Sequence, residues 1–238
     1  PEFPLVAIIF ADKRAYVKFA RPEVGDAVGS VAAYYSFKSN RIVMYDLTGA
    51  EGRAVGGGRM GSSAQIARLL SLPGAAQNVS AIVHEATHQI AFNCGLHARY
   101  SDCPLWFTEG IAVFFETPDA GNSRGWRKIG LVNKLRLTRF HRYYPHRRPD
   151  SLVTLISDDE RFRESGQALD AYAEAWALTY FLLNYRSEEY IKYLRLLSAK
   201  KPQDWDDPEA RLADFKSAFG DDLEKLDKDF IRVIGGLR

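Results

Sequence analysis

The feature that most constrains this chain is a five-residue motif, HEATH, at residues 84–88. Apolar residues recur around the motif at helical spacing, so it is predicted to lie on a helix. Side chains four positions apart lie one above the other on a helix, and His84 and His88 can therefore reach one zinc ion. Glu85 lies beside them, where its carboxylate can accept a proton from a water molecule on the metal. The alternative is a pair of histidines that serves only packing or surface hydrogen bonds.

The third metal ligand is the test of such a zinc site, because catalytic zinc usually takes three protein ligands and keeps one position for water. Glu109 is the leading candidate: it lies in the segment LWFTEG, and 20 residues separate it from His88. If the two segments form an antiparallel helix pair, a connection of this length brings the Glu109 side chain back beside the first helix. His97 is the competing candidate. The metzincin pattern fails, since it needs a glycine and a ligand where this chain has Ala91 and Cys94.

Together these motifs resemble those of the gluzincin metallopeptidases, which include the thermolysin and alanyl aminopeptidase families. The stretch from His84 to Glu116 looks closest to an uncharacterised bacterial family of peptidase-MA-like domains, which has HEATHQ and PLWxxEG helices. The resemblance extends to the segments NRIVMYD and YAEAWA elsewhere in the chain. It implies a zincin-like fold, zinc as the cofactor, and hydrolysis of peptide bonds in a peptide or protein substrate.

Carried over position by position, the resemblance implies three zinc ligands and one general base: His84, His88, Glu109 and Glu85. The alanyl aminopeptidases also place a tyrosine some sixty residues beyond the third ligand. Tyr172 lies 63 residues beyond Glu109 and is predicted to stabilise the oxyanion of a tetrahedral intermediate. Ala175 stands where that family has glycine, and the exopeptidase motif Gly-x-Met-x-Asn is absent from the sequence. Aminopeptidase specificity is therefore not expected.

Glu116 is a candidate for a supporting role around the metal. It lies two helical turns after Glu109 and on roughly the same helix face. It is predicted to orient a ligand histidine through the free ring N–H, or to contact a substrate amine. The alternative is a charged helix end before Pro118. Trp106 and Trp176 are predicted to belong to the core rather than to a binding surface.

A basic segment at residues 134–148 carries six lysines or arginines, two histidines and two tyrosines. This composition is typical of a solvated basic loop, and a patch for an anionic polymer or an acidic peptide is the functional alternative. The net charge of the whole chain is only +2, so no nucleic acid is expected as a partner. No apolar run reaches the roughly 18 residues that a membrane span needs, so no transmembrane segment is expected.

The pattern of the whole chain predicts an α+β fold, with a small N-terminal antiparallel sheet followed by a mainly helical, zincin-like body. The predicted subdomains are residues 1–61 and 62–238, which together form one catalytic domain. With 46% hydrophobic residues the chain is not expected to be disordered. Strands are predicted at residues 5–10, 15–19, 31–37 and 41–47, with a tight turn at 38–40. Helices are predicted at residues 62–72, from 78 or 80 to 94, 104–117, 127–140, 168–185, 187–199, 208–219 and from 221 onward.

The two cysteines, Cys94 and Cys103, have two interpretations. They are either small buried thiols or partners in a local disulfide, which implies an oxidising compartment. An extracytoplasmic location (periplasmic, secreted or on the surface) is expected from the second interpretation.

The sequence therefore predicts a zinc metallopeptidase in which Glu85 activates the attacking water. Two alternatives stay open. The first is a zinc-containing binding or surface module without turnover, which the intact Glu85 argues against, because a site needing only metal does not require that carboxylate. The second is a binder of anionic polymers that uses the basic segment at residues 134–148.

Overall fold

The computed structural model describes residues 4–47, 74–117 and 129–238. In these ranges a small N-terminal sheet precedes a mainly helical body, which confirms the predicted α+β class. The predicted subdomain boundary at residue 61 and the predicted helix at 62–72 lie outside the described residues. Within the described ranges, no helix combines the length and the hydropathy that crossing a bilayer requires.

The N-terminal sheet is mixed rather than antiparallel as predicted. Its strands are β1 (Val6–Phe10), β2 (Ala33–Ser36) and β3 (Arg41–Tyr45), in the spatial order β1-β3-β2. The hairpin of β2 and β3 is antiparallel and has its turn where the sequence predicted it, whereas β1 pairs with β3 in the parallel direction. Asn40 in the turn adopts a φ of 58°, which asparagine tolerates better than most residues.

The second predicted strand is instead part of helix α1, Lys13–Val24. The side chain of Asp12 caps this helix by accepting a hydrogen bond from the backbone N–H of Ala15 at 2.7 Å. Tyr16 and Ala20, four positions apart, are fully buried on one face of the helix. The alternation of apolar and polar residues at 15–19 covers only five positions, which is too short to distinguish a strand from one face of a helix. Since β2 is antiparallel to β3, the hairpin turn between them returns the chain to the direction of β1, and β1 and β3 run parallel.

The remaining helices follow in chain order, beginning with α2 at Ala75–Asn93, which starts earlier than predicted. Gly95 beyond its end has a φ of 79°, typical of a glycine that terminates a helix. The others are α3 (Leu105–Phe115), α4 (Lys134–Tyr143), α5 (Ser151–Ser157), α6 (Glu160–Arg163), α7 (Ala168–Tyr185), α8 (Ser187–Ser198), α9 (Pro208–Phe219) and α10 (Leu223–Gly235).

Several predicted helix bounds agree with the structure, namely those of α7, α8 and α9. Helix α4 begins later than the predicted residue 127, because the Asn133 side chain caps it by accepting from the Arg136 N–H at 3.1 Å. The segment 141–150, which lies beyond the end of the predicted helix at 127–140, contributes the last turn of α4 and a short 3-10 turn at Tyr144–His146. The short helices α5 and α6 were not predicted.

The chain divides into two compact units, Pro1–Ile90 with Pro118–Lys128, and Ala91–Thr117 with Ile129–Arg238. In the first unit, α1 packs on the sheet around a small set of buried side chains: Tyr16, Ala20, Val28 and Val43. The second unit has a far larger, aromatic core that includes Trp106 and Trp176, both fully buried. The prediction that these two tryptophans are core residues is confirmed.

Helices α3 and α7 of the second unit approach closely at Gly110. A Cβ atom at this position would collide with the Thr179 hydroxyl and lie 2.8 Å from the backbone oxygen of Ala175. Only glycine therefore permits this helix crossing. Since Glu109 is the preceding residue, the crossing also fixes the backbone from which that carboxylate projects.

Candidate metal centre

The HEATH motif lies in the middle of helix α2, as the sequence predicted. The Nε2 atoms of His84 and His88 are 3.2 Å apart, and their ring planes are inclined by 77°. Two nitrogen ligands at 2.0–2.1 Å from a tetrahedral zinc are separated by about 3.3 Å. The spacing of these two nitrogens therefore fits a shared zinc ion.

Glu109 on α3 completes a group of three metal-binding side chains. One ligand atom from each of His84, His88 and Glu109 lies within 4.8 Å of the others. Two imidazoles and one carboxylate make up a donor set found in catalytic zinc sites, and they leave a fourth position for water. The residues present thus fit the zinc ion that the sequence predicted.

Glu85, the predicted base, is buried and follows the first histidine of the motif. Burial raises the pKa of Tyr16 on α1, and the charges of Tyr34 and Glu85 raise it further. The Glu85 carboxylate therefore acts electrostatically on the interior of the first unit, where Tyr16 is fully buried.

Two amide side chains bind helix α2 to the sheet on either side of the motif. Gln89 Nε2 donates to the backbone oxygens of Asn40 at 2.8 Å and Val6 at 3.2 Å, at the beginnings of β3 and β1. At the other end of β3, the Asn78 amide donates to the Asp46 carboxylate at 2.6 Å, and its oxygen accepts from the backbone N–H of residue 47 at 2.8 Å. These contacts, which we call the amide clamps, fix the position of the motif along the sheet.

The amide clamps were missed in the sequence, although the helix was predicted to begin at residue 78 or 80. The signal was weak, because a single Gln or Asn in a helix is usually exposed. Gln89 is only 3% exposed. In the structure Asn78 lies inside the helix rather than at its start.

The structure brings Tyr172 and Glu116, the two remaining predicted site residues, to the same side chain in the second unit. Arg136 Nη2 is 3.7 Å from Glu116 Oε1, and the Arg136 guanidinium lies 5.4 Å from the centre of the Tyr172 ring. Tyr172 also packs edge-on against Phe162. The sequence alone places Arg136 in the basic segment and not in the site.

His97, the competing third ligand, lies in the core of the second unit. Its ring packs against Phe92 and Phe107, with centroid distances of 5.0 and 5.3 Å. The three-residue group among the described residues contains Glu109 and does not include His97.

Cys94 and Cys103 are free thiols, so the structure contains no disulfide between them. Cys94 is exposed, which also contradicts the view that both thiols are buried, whereas Cys103 packs against the core. The extracytoplasmic location remains a prediction, without the support of a disulfide.

Four of the six basic side chains at residues 134–148 have an acidic partner, and most of the segment is helical rather than a loop. Arg139 pairs with Asp170 at 2.5 Å, and Arg148 pairs with Asp150 at 2.7 Å. Arg147 is buried and ion-paired. These pairs weaken the interpretation of the segment as a patch for anionic polymers. His141 and His146 do not belong to the metal-binding group found among the described residues.

A buried ion cluster in the second unit was also missed. Glu174 on α7 is fully buried and accepts hydrogen bonds from Arg147 Nε at 2.7 Å, Arg161 Nη2 at 2.6 Å and the Ser151 hydroxyl at 2.8 Å. Arg147 also binds Asp227 with two hydrogen bonds. A carboxylate inside the otherwise apolar run of α7 was the available signal, since unpaired charges are rarely buried.

Comparison with known proteins places the chain in a family. Residues 78–204, which are 127 of the 238, match the family described as "Protein of unknown function (DUF1570)", so the chain belongs to that family. The match covers the amide clamp at Asn78, the metal-binding group and helix α7. No curated protein and no solved structure matches the chain.

Proposed function

We propose that the protein is a zinc-dependent metallopeptidase of the gluzincin type, with zinc held by His84, His88 and Glu109. The observation that carries this proposal is the 3.2 Å separation of the two Nε2 atoms, together with a carboxylate in the same group. A structural zinc site is normally closed by four protein ligands. A set of three that includes one carboxylate instead favours a catalytic site with room for water.

Glu85 acts as the general base of the proposed reaction. A zinc ion held by His84, His88 and Glu109 would supply a Lewis acid, which polarises a carbonyl and lowers the pKa of a water molecule to about 7. The Glu85 carboxylate accepts the proton of the attacking water and then passes it to the leaving nitrogen. Its burial restricts the number of positions that this carboxylate can adopt.

Tyr172 and Glu116 have supporting roles in the proposal. The Tyr172 hydroxyl donates a hydrogen bond to the oxyanion that forms when water attacks the carbonyl. The neighbouring Arg136 cation favours negative charge near that ring. Glu116, the ion-pair partner of Arg136, contacts an amine of the substrate, which is the other role that the sequence predicts for it.

The proposed function is tested by zinc content and by cleavage of a peptide library, read by mass spectrometry. The wild-type protein should hold one zinc per chain and lose activity with a chelator. Glu85→Gln should retain zinc but lower turnover by about 10²–10⁴, because an amide cannot accept the proton. Glu109→Ala should lose stoichiometric zinc. The exposed Glu188 supplies a matched control, since Glu188→Gln should change neither property.

The two alternatives give different results in the same assays. Full zinc occupancy without cleavage of any peptide would favour the binding module over the peptidase. Zinc retained at full occupancy in Glu109→Ala would reject the ligand assignment and restore His97 as a candidate.

A further inference from the structure

The guanidinium group of Arg136, on α4, is mostly buried and has few acceptors for its N–H groups. Its side chain is 19% exposed, and the contact of its Nη2 with Glu116, at 3.7 Å, is longer than an N–H···O hydrogen bond. Its Nε atom is buried and has no hydrogen-bond acceptor in the part of the chain that the structure describes. Buried N–H groups without acceptors are uncommon and costly, so this one requires an explanation.

Two other arginines of the same unit show how the chain normally satisfies such a group. Each is mostly buried, and its Nε donates to a carboxylate, at 2.7 and 2.9 Å. Each holds two carboxylates: Glu174 and Asp227 for Arg147, and Asp102 and Asp159 for Arg211. Among the described residues, Arg136 has one carboxylate neighbour, at a longer distance, and its Nε–H has no acceptor. Arg136 is therefore suited to a second carboxylate from outside the chain.

The position of Arg136 relates it to the proposed catalytic site. Its partner Glu116 follows Glu109 by seven residues, which is about 10 Å along the helix axis. An extended peptide covers about 3.3–3.6 Å per residue, so this distance corresponds to about three residues of substrate. The same guanidinium also packs on the ring of Tyr172, the proposed oxyanion donor.

We propose that Arg136 binds a carboxylate of the substrate and so determines specificity. The preferred substrates are peptides with an acidic group within about three residues of the scissile bond, either an Asp or Glu side chain or the free C-terminus. The planar guanidinium fits a carboxylate through two parallel hydrogen bonds. This inference rests on the proposed function, because that function makes the surroundings of Glu109 and Tyr172 a substrate-binding region.

The test compares cleavage rates of four matched synthetic octapeptide mixtures. In the first pair, one mixture carries Glu at each position in turn and the other carries Gln at the same positions. In the second pair, one mixture has a free C-terminus and the other an amidated C-terminus. The wild-type protein should cleave the acidic member of one pair about 10- to 100-fold faster, which is the range for a hydrogen bond to a charged group. The pair that shows the preference identifies the source of the carboxylate.

Substitutions at Arg136 should remove this preference. In Arg136→Gln the ratio of the cleavage rates of acidic and neutral peptides should fall to about 1. In Arg136→Lys the ratio should be intermediate, because lysine keeps the charge but cannot form two parallel hydrogen bonds with a carboxylate. Arg142→Gln, on the exposed side of the same helix, is the matched control and should leave the ratio unchanged. Glu116→Gln should raise the ratio, because it removes the carboxylate that competes for Arg136. A purely structural ion pair would not produce that rise.

Each outcome decides between the two proposals. Cleavage with ratios near 1 in both wild-type pairs would overturn the role of Arg136 and leave the peptidase proposal standing. If no peptide is cleaved, the peptidase proposal fails. Arg136 is then tested by binding, as the ratio of the dissociation constants of the neutral and the acidic members of each pair. If Arg136→Gln does not fold, as judged by circular dichroism, the ratios of Arg136→Lys and Glu116→Gln decide the question.

Discussion

The two units of the chain position their long helices α2 and α7 in different ways. In the first unit, the amide clamps bind α2 to backbone groups of the sheet, and the described buried core around α1 is small. In the second unit, α7 is surrounded by a large aromatic core and contains the fully buried Glu174 with its arginine partners. Position in the first unit depends on directional hydrogen bonds, whereas in the second it depends on packing and charge compensation.

This difference predicts different consequences of substitution. A lost clamp should shift His84 and His88, the proposed metal ligands, while most of the fold persists, because the change removes hydrogen bonds and leaves no unpaired buried charge. A lost charge partner inside the second unit should destabilise the whole unit, because the remaining charges stay buried.

The largest effect is expected for Glu174→Ala in the second unit. The change leaves the buried cations of Arg147 and Arg161 without their shared carboxylate, and we expect the free energy of unfolding to fall by about 3–5 kcal/mol. Chemical denaturation measures this loss. Glu188→Ala, at an exposed position of α8, should change stability by less than about 0.5 kcal/mol. Equal stability of the two variants would contradict the role of the ion cluster.

A large effect on turnover without unfolding is expected for Tyr172→Phe, two residues from Glu174 on the same helix. Removing one oxyanion donor typically lowers turnover by about 10²–10³, and the phenylalanine ring keeps the contacts with Phe162 and Arg136. Zinc content and thermal stability should stay at wild-type values. Unchanged turnover would show that Tyr172 only contributes packing.

A smaller effect is expected for Gln89→Met in the first unit. Methionine keeps the approximate volume but leaves the backbone oxygens of Val6 and Asn40 without this donor, which costs about 1–3 kcal/mol. Zinc affinity, measured by competition with a chelator, should weaken, whereas the circular dichroism spectrum should stay close to that of the wild type. Gln77→Met is the matched control, because Gln77 is exposed on the same helix. Equal zinc affinity in both variants would reject the positioning role of Gln89.

The smallest effect concerns the two thiols, both in the second unit. Burial raises the pKa of Cys103 and makes its reactive thiolate scarce at neutral pH, whereas Cys94 is exposed. Titration with a thiol reagent should therefore count one thiol in the native protein and two after unfolding without reductant. A count of zero in the unreduced, unfolded protein would instead establish the disulfide.

Much of the architecture could be predicted because it follows from local rules. The helix over HEATH, the hairpin turn at Asn40 and the helix that Asp207 caps all depend on residues close together in sequence. The four-residue spacing of His84 and His88 likewise determines that both rings lie on one helix face.

Other features depended on contacts between residues distant in sequence. The direction of β1, the amide clamps and the pairing of Glu174 with two arginines all join segments separated by more than ten residues. Arg136 shows this most clearly, because its sequence neighbours indicate a basic loop and its spatial neighbours are Glu116 and Tyr172. The sequence by itself determined that His84 and His88 lie on one face of one helix, since helical spacing is local, whereas the approach of Glu109 depends on the fold. Only the tertiary structure decided which charges are compensated, because a charge is compensated by whatever the folded chain brings within hydrogen-bond distance.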